Sequence, residues 1–475
     1  MGELPLSNGF YIDESLPLSH QECVNIFPET PQVKSLSKLI LRGAPGSYEI
    51  TNTGVVHQQS RGSWVKNGIP YVVNGTSLYS VSETIDSEGN ELYSHTELGT
   101  VAGSGRVSMA NSPTELMILN PSEKGYIYNE DAVIPFQEIV DLDFRANGNP
   151  THVIFVDGSF FCTTDEDKII VSDLQDGLSW NALLFGSAES DPDKVVAPVK
   201  VDNQVYVLGG ETTDGYQNIG GSGFPYQRNN VFMDKGCFAP FSIVNTNKTF
   251  FMIGGGKNEQ PAVWQFNGTS YDKRSTYAVD AILAGYTEEE ISEAFGMYYG
   301  IKGHYFVVFV FPDRALQYDL VEQKWSERKS TIDEVPSRWR VNSIVTAYNK
   351  LIVSDFKDGR IGILDTETYG EYGEDIISVW STQPFLAIDG IKVPAVELVM
   401  ESGVGNTGCP DPQVGLSFSR DGKKFNYERT RAIGKKGQYK LRQIWRGNGH
   451  YTRMLTLRFR ISDQVKKVAY YLEAA

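Results

Sequence analysis

The chain contains 475 residues, carries a formal net charge of −16, and has 21% charged and 12% aromatic residues. That length allows two or three domains around a large core, and the composition is that of an ordinary globular protein. The longest apolar run, around Phe309, has about seven residues, whereas a membrane span needs about 20, so the sequence predicts no membrane-spanning segment.

Residues 1–47 are predicted to form an extended N-terminal arm. Apolar segments at 25–29 and 41–46 favour an arm that crosses other surfaces of the protein, and a disordered tail is the alternative. The first residues lack the basic and apolar regions of a secretory signal. Prolines interrupt any helix here, at Pro5, Pro17, Pro28 and Pro31.

A repeated strand unit fills residues 48–375. Its clearest copy, at 305–325, is an apolar run followed by a turn at Pro312-Asp313 and a second strand. Looser copies, with turns such as Asp157-Gly158, recur at intervals of roughly 37 to 56 residues, close to the ~40–50-residue period of propeller blades. We therefore predict a β-propeller of six or seven irregular blades.

A short helical insertion is predicted at about 280–298. Thr287 and Glu290 have the spacing of a capping box, in which the Thr hydroxyl and the Glu carboxylate each accept a hydrogen bond from an otherwise unpaired backbone amide. The helix is expected to lie outside the blades.

From residue 376 to 475 the pattern changes to longer strands with period-two alternation. Leu455, Leu457, Phe459 and Ile461 alternate with polar residues, which indicates one buried face. A hairpin turn is predicted at 419–422. We predict a separate β-sandwich domain, so that the fold class is all-β: a propeller with a helical insertion, followed by a sandwich.

Positive charge is concentrated in this last segment. Residues 414–467 hold 15 Lys and Arg against 3 Asp and Glu, a surplus of 12, so the rest of the chain carries −28. Such an asymmetry indicates that two regions face different partners, or each other. The pattern is compatible with a solvated strand face, a protein contact or a nucleic-acid contact. The candidate basic interface consists of Arg429, Arg431, Lys440, Arg442, Arg446, Arg453, Arg458 and Arg460.

The sequence contains no pattern that selects a catalytic, metal or cofactor site. The GxGxxG match at 403–408 is followed by Pro410 and Pro412, which prevent the helix that a dinucleotide loop must open. The segments 176–180 and 419–422 faintly resemble the structural Asp-box turns of sialidase propellers, but no local pattern selects the pair of carboxylates that a glycosidase needs. The six histidines have no metal-ligand spacing.

The four cysteines share no CxxC spacing, which predicts buried free thiols and assembly in a reducing cytosol: Cys23, Cys162, Cys237 and Cys409.

Several stretches resemble the packaged-DNA stabilisation proteins of short-tailed phages, which are the tail hub or nozzle proteins. The most specific is VAGSGRVSMA at 101–110, and the stretches at 170–181, 224–237 and 282–290 are also typical of that family. The resemblance implies a structural virion protein without enzymatic activity. It implies a homo-hexameric ring below the portal and its adaptor, which extends the DNA channel, retains packaged DNA and takes part in its ejection.

The same resemblance implies the partners and the location. Expected partners are the portal–adaptor complex, a tailspike or tail fibre, and the needle or plug that closes the tail. Packaged double-stranded DNA would pass through without sequence-specific binding, because an acidic lumen repels phosphate. The basic surplus would then face an adaptor, a neighbouring copy or a tailspike. The expected location is the virion tail, after assembly in the host cytoplasm. The alternative is a carbohydrate-binding or carbohydrate-cleaving propeller of a receptor-binding tail protein.

Overall fold

The protein consists of a seven-bladed β-propeller and a β-sandwich that an N-terminal arm joins together. The structure is a computed structural model, and it describes residues 2–15, 18–33, 37–56, 58–187, 193–221, 223–246 and 248–474. The predicted all-β class, propeller and sandwich are confirmed, and the blade number is the higher of the two predicted values.

The arm contributes short strands, and the strand that follows it belongs to the propeller. The arm strands are β1 (Gly2–Leu4), β2 (Tyr11–Ile12), β3 (His20–Gln21), β4 (Cys23–Val24), β5 (Ile26–Glu29) and β6 (Ile40–Gly43); the propeller strand is β7 (Gly46–Val56).

Seven antiparallel sheets, named here blades A to G, follow in chain order. Blade A contains β8 (Ser60–Lys66), β9 (Ile69–Asn74), β10 (Ser77–Ile85) and β11 (Glu91–Thr100). Blade B contains β12 (Ser108–Asn111), β13 (Leu116–Leu119), β14 (Gly125–Tyr128) and β15 (Phe136–Glu138). Blade C contains β16 (Pro150–Val156), β17 (Ser159–Thr164), β18 (Lys168–Asp173) and β19 (Asp176–Ser187). Blade D contains β20 (Val195–Val201), β21 (Gln204–Gly209), β22 (Thr213–Asn218) and β23 (Tyr226–Met233).

The remaining blades are less regular. Blade E contains β24 (Gly236–Cys237), β25 (Val244–Asn245), β26 (Phe250–Gly255), β27 (Ala262–Phe266) and β28 (Tyr271–Lys273). Blade F contains β29 (Phe295–Ile301), β30 (His304–Val310), β31 (Ala315–Asp319) and β32 (Lys324–Ile332), and β33 (Val335–Arg338) extends it. Blade G contains β34 (Val341–Ala347), β35 (Lys350–Asp355) and β36 (Asp358–Asp365), with β7 as its fourth strand.

The blade hairpins are set by residues that accept a left-handed backbone. In the turn between β16 and β17, Asp157 has φ 51° and Gly158 has φ 88°, while Val156 pairs with Ser159 across the hairpin. Two central residues with positive φ give the tight turn whose twist matches that of the flanking strands. Asp and Gly tolerate this backbone, which explains why the predicted turn forms here.

The propeller closes because its last blade takes a strand from the start of the chain. Strand β36 pairs with β7, for example Ile363 with Tyr48. Apolar side chains from facing blades fill the spaces between them, as in the cluster of Phe160, Cys162 and Trp180 with residues of blade B. The pairing of β7 with β36 joins the two ends of the propeller, so that each blade packs between two others.

The helical insertion connects blades E and F. It consists of α1 (Tyr277–Ala284) and α2 (Glu288–Ser292). The predicted capping box is confirmed at α2, where the Thr287 hydroxyl accepts from the Glu290 amide and the Glu290 carboxylate accepts from the Thr287 amide. The insertion starts and ends earlier than the predicted 280–298, because residues from Phe295 onward form the inner strand of blade F.

The sandwich follows a short hairpin that packs on blade G and consists of β37 (Gly370–Glu371) and β38 (Glu374–Asp375). The strands after the hairpin are β39 (Ser378–Ser381), β40 (Phe385–Leu386), β41 (Ile391–Lys392), β42 (Ala395–Met400), β43 (Gln413–Ser419), β44 (Arg429–Ala432), β45 (Gln443–Arg446), β46 (His450–Tyr451), β47 (Met454–Ile461) and β48 (Val468–Ala474).

Strands from the arm complete both sheets of the sandwich. One sheet has the order β45-β42-β48-β6-β5, with β1 also on β48; the other continues from blade F through β4 to β39-β47-β43-β44. Strand β4 therefore links a propeller blade to a sandwich sheet. The predicted sandwich of residues 376–475 lacks these partners, because sequence patterns do not reveal pairing between the two ends of a chain.

One hydrophobic core spans both parts. It includes Leu316 and Trp325 of blade F, Cys23 and Leu41 of the arm, and Trp380 of the sandwich, all buried. Burial of apolar surface contributes about 25 cal/mol per Å². A core shared in this way holds the propeller and sandwich as one body.

Candidate assembly surfaces

Five of the eight candidate basic residues lie along one edge of the sandwich. Strand β44 is the last strand of one sheet and β45 is the first strand of the other. Both edge strands lie side by side, and residues 433–442 connect them. We call residues 427–446 the basic edge. Its candidate residues are Arg429, Arg431, Lys440, Arg442 and Arg446.

Three arginines of the basic edge hold it together. Arg429 donates from Nη1 to the Arg446 carbonyl at 3.2 Å, and Arg431 donates from Nε to the Ile444 carbonyl at 2.9 Å. These bonds tie the two edge strands to each other. Arg442 donates from Nε to a Glu397 carboxylate oxygen at 2.6 Å, and this bond raises the pKa of Arg442.

Other side chains of the basic edge face solvent. Lys440 and Arg446 are exposed, and so are Tyr427 and Tyr439, at 88% and 71%. Charged residues on edge strands discourage uncontrolled strand pairing. Exposed tyrosines next to arginines are a composition that protein interfaces favour. The edge therefore combines a stabilising function with a surface that is available to a partner.

The other three candidates lie elsewhere, so the predicted basic interface is not one face. Arg458 and Arg460 alternate with buried Leu457 and Phe459 on β47, which places both arginines on the outer face of their sheet. There Arg458 lies 4.2 Å from the Phe425 ring centroid, and Arg460 lies 3.6 Å from Glu428. Arg453 is exposed just before β47.

The position of Arg442 confirms this separation. Arg442 and Arg446 alternate with buried Gln443 and Trp445, and they lie on the outer face of the β45-β42-β48 sheet. The outer faces of two packed sheets point in opposite directions. Period-two alternation gives the buried face of a strand but not the sheet that it joins, which is why the sequence suggested a single surface.

A partly buried charge cluster anchors the arm to blade F. His304 Nδ1 lies 2.7 Å from Asp319 and its Nε2 lies 3.4 Å from Glu29. Arg42 donates from Nε to Glu29 at 2.6 Å. Hydrogen bonds to Asp319 and Glu29 raise the pKa of His304 to about 9, and hydrogen bonds from His304 and Arg42 lower the pKa of Glu29 to about 2. His304 is therefore a cation at neutral pH.

A second buried network locks blade G to the hairpin that leads into the sandwich. Arg340 donates from Nε to Asp355 at 2.6 Å and from Nη1 to Glu374 at 2.8 Å. Nearby, Trp339 Nε1 donates to Glu371 at 2.9 Å. Burial raises the pKa of Glu371 and of Asp355. Neither network could be predicted from the sequence, because its members lie on separate strands and hairpins that sequence patterns do not pair.

A cavity of about 840 Å³ lies where the inner strands of the blades meet. Arg106, from the 101–110 stretch, lines it, with its guanidinium carbon 3.7 Å from the Phe295 ring centroid. Burial lowers the pKa of Arg106 to about 9 and that of the lining His152 to about 4. Asp202 is the one carboxylate among the described residues that line the cavity. A pair of carboxylates for glycoside hydrolysis does not converge there.

The described residues include no candidate metal site, and their cysteines are free thiols. Among the described residues, no group of three or more His, Cys, Asp or Glu side chains is placed to hold a metal ion; His57 lies outside the described residues. Cys23, Cys162 and Cys237 are buried free thiols, and Cys409 is half-buried. Burial raises the pKa of Cys23 and Cys237 to about 12, which makes their thiolates scarce. No helix in the described ranges is long and apolar enough to cross a bilayer.

Comparison with protein families matches both parts of the chain. A family model described as the β-propeller of bacteriophage P22 Gp10 matches residues 2–369. A second model, described as the β-sandwich of bacteriophage P22 Gp10, matches residues 381–475. The first match starts in the arm, in agreement with the place of β7 in the propeller.

One relative, a tail hub protein, agrees with this result. The chain is 21% identical over 412 residues to the tail hub protein gp10 of Salmonella phage P22, and the match covers 84% of each protein. Among solved structures, the WD40 β-propeller domain of Doa1 aligns at 12% identity with a TM-score of 0.40, over 67% of this chain and 97% of that domain.

Proposed function

We propose, from the premise that this chain belongs to the P22 Gp10 family of phage tail hub proteins, that six copies form a ring below the portal and its adaptor. Membership of this family makes the chain a structural component of the virion tail and not an enzyme. In our proposal the ring extends the DNA channel, retains the packaged genome and takes part in its ejection.

The observation that carries the proposal is the joining of propeller and sandwich into one block. Strand β4 pairs with blade F and with β39, and the two parts share a core. A subunit of a closed ring must present two different complementary surfaces to its neighbours in a fixed geometry. Two rigidly joined parts of unlike charge supply such surfaces, whereas two parts on a flexible linker would not fix the angle between them.

The net charge of the chain suits a passage between copies. With a net charge of −16 per copy, a lumen formed between copies would repel phosphate and let DNA slide.

The partners follow from the position of such a ring. The portal–adaptor complex would lie above it, and a tailspike or fibre and the needle or plug would attach beside and below it. Assembly would occur in the host cytoplasm, where reducing conditions suit the free cysteines.

The number and position of copies in intact virions test the proposal. We expect electron microscopy to show six copies between the adaptor and the end of the tail. Heads assembled without this chain should package DNA and then lose it to added nuclease, whereas heads that lack only the tailspike should keep it. A single copy per virion, a location away from the neck, or stable DNA retention without the chain would contradict the proposal.

A further inference from the structure

Two of the three hairpins in each of blades A–D lie at the same end of the propeller. The inner strands lie side by side and run in the same direction: Trp64 Nε1, near the end of β8, donates to Asn111, the last residue of β12, at 2.8 Å. Because each of blades A–D runs through its four strands in order, the hairpins between the first and second strands and between the third and fourth strands lie at one end, and those between the second and third strands lie at the other. Gly177 of blade C, which donates its amide to Glu115 of blade B at 2.9 Å, lies at this end.

Among the described residues, the arm and the sandwich form hydrogen bonds at this end with blade F and with the hairpin beside blade G. Thr30 donates its backbone amide to Glu322, in the last hairpin of blade F, at 2.9 Å. Gln464 of the sandwich donates to the Gly373 carbonyl, beside blade G, at 2.9 Å. Blades A–D have no such contact among the described residues. Their hairpins carry large apolar side chains that are more than half exposed: Ile85, Leu92, Val133, Ile134, Leu174 and Ile219.

Acidic residues lie next to several of these apolar residues along the chain, such as Glu91 beside Leu92 and Asp173 beside Leu174. Two of the acidic side chains also form ion pairs within the chain, Glu130 with Lys66 at 3.5 Å and Glu91 with Lys350. We call the hairpin ends of blades A–D the acidic rim. Its acidic residues include Asp86, Glu88, Glu91, Glu130, Asp131, Asp157, Asp173, Asp176 and Asp202.

We propose that the acidic rim of one copy binds the basic edge of a second copy of this chain. This inference rests on the ring proposed above and names the two surfaces that would form it. The surfaces have opposite charge, and each adds apolar or aromatic side chains: Val133 and Ile134 on the rim, Tyr427 and Tyr439 on the edge. Two different surfaces per copy give a head-to-tail contact, which is the kind that closes into a ring.

A second copy suits the basic edge better than nucleic acid does. The complementary acidic surface is present in the same chain at the same concentration, and the contact does not require the edge to face a passing duplex. A net charge of −16 opposes approach of the whole chain to phosphates. Binding to DNA is kept as an outcome of the test.

Charge reversal on each surface tests the contact. The edge variant is Lys435→Glu/Lys436→Glu/Lys440→Glu, and the rim variant is Glu88→Lys/Asp131→Lys/Asp202→Lys; all six side chains are exposed. Purified protein is added to heads that carry the portal and adaptor but lack this chain. The copies bound per head are counted by mass spectrometry, and rings are seen by microscopy.

Each variant alone would place like charges together at every contact, so we expect half-saturation to need about tenfold more protein or more. A one-to-one mixture would restore binding to about the wild-type level. In that mixture the acidic edge of one variant meets the basic rim of the other, and the unchanged surfaces pair normally.

A matched control separates position from net charge. Glu166→Lys/Glu211→Lys/Glu293→Lys changes the charge by the same amount as the rim variant but at the opposite end of the propeller, where the residues are also exposed. We expect wild-type ring formation. Melting temperatures within about 2 °C of wild type would show that the variants fold.

The outcomes distinguish the inference from the proposed function. Rings of wild-type protein that also form with both variants, or a mixture that fails to recover, would overturn the inference and leave the ring intact. Loss of DNA binding by the edge variant with unchanged rings would assign the edge to nucleic acid. Wild-type protein that never forms rings on heads would overturn the proposed function itself.

Discussion

The propeller and the sandwich are built from similar strands but are assembled in different ways. Blades A–D each use four strands that follow one another along the chain, whereas the sandwich combines strands from residues 2–43 with strands from 378–474. The hydrogen bond from Ser378 Oγ to the Asn25 carbonyl closes a separation of 353 residues. Closing a long loop costs more conformational entropy than closing a hairpin. The propeller is thus specified mainly by local sequence, and the sandwich depends on the arm.

The largest loss of stability is expected in blade G, where Arg340 also bonds the hairpin that leads into the sandwich. Arg340 and Asp355 are both fully buried, and Arg340 also bonds Glu374 outside the blade. Arg340→Ala would leave Asp355 buried without a counter-charge, so we expect the free energy of unfolding to fall by about 3–5 kcal/mol. Urea denaturation followed by tryptophan fluorescence measures this change.

The matched control removes both charges. Arg340→Met/Asp355→Leu replaces the pair with apolar side chains, and such replacements are often close to neutral. We expect the double variant to recover most of the lost stability. A single variant that loses less than about 1 kcal/mol would show that the network does not lock the blade.

The arm provides the next test. Leu41 on β6 is fully buried in the shared core, so Leu41→Ala should lower the free energy of unfolding by about 2–5 kcal/mol. Leu18 also belongs to the arm but is 68% exposed, and Leu18→Ala should change stability by less than about 0.5 kcal/mol. Equal, small effects at both positions would show that the arm lies on the sandwich without contributing to its core.

These differences explain which parts of the fold could be predicted from the sequence. The hairpin at 305–325 was predictable because its strands and turn are adjacent, and β30 and β31 form it as expected. The capping box at Thr287 was predictable for the same reason. The pairing of β1 with β48 was not, because the apolar pattern of a short arm strand fits many partners.

The prediction of the basic interface was limited in the same way, because it depends on how distant strands pair. Charge counts located the basic segment, but the separation of Arg458 from Arg442 depends on which sheet each strand joins. The acidic rim could not be predicted at all, since hairpins of four blades come together only once the propeller closes.

A smaller effect is expected from the pH dependence of the arm anchor. The folded-state pKa of His304, about 9, lies above its ordinary 6.5. Its stabilisation is therefore complete below about pH 6.5 and is lost as the pH rises through about 9. The pKa of Glu29 is lowered from 4.5 to about 2, so its contribution is present above about pH 4.5 and is lost as the pH falls through 2.

Between about pH 6 and pH 10 we expect the free energy of unfolding to fall by roughly 1–2 kcal/mol, because His304 loses its proton over this range. Solvent partly screens Glu29, which keeps this loss small. Urea denaturation at both pH values measures it, and His304→Gln should flatten this part of the profile. A profile that stays steep in the variant would assign the pH dependence to other groups.

The smallest effect is expected at an arginine on the surface of the sandwich. Arg460 pairs with Glu428 at 3.6 Å, and both side chains are partly exposed. Water already solvates each charge well, so Arg460→Ala should lower stability by only about 0–1 kcal/mol, in contrast to Arg340→Ala. High salt should reduce the difference further, because it screens exposed pairs. If Arg460→Ala were as damaging as Arg340→Ala, the arginines of the sandwich would be structural, and a surface function for them would lose its physical basis.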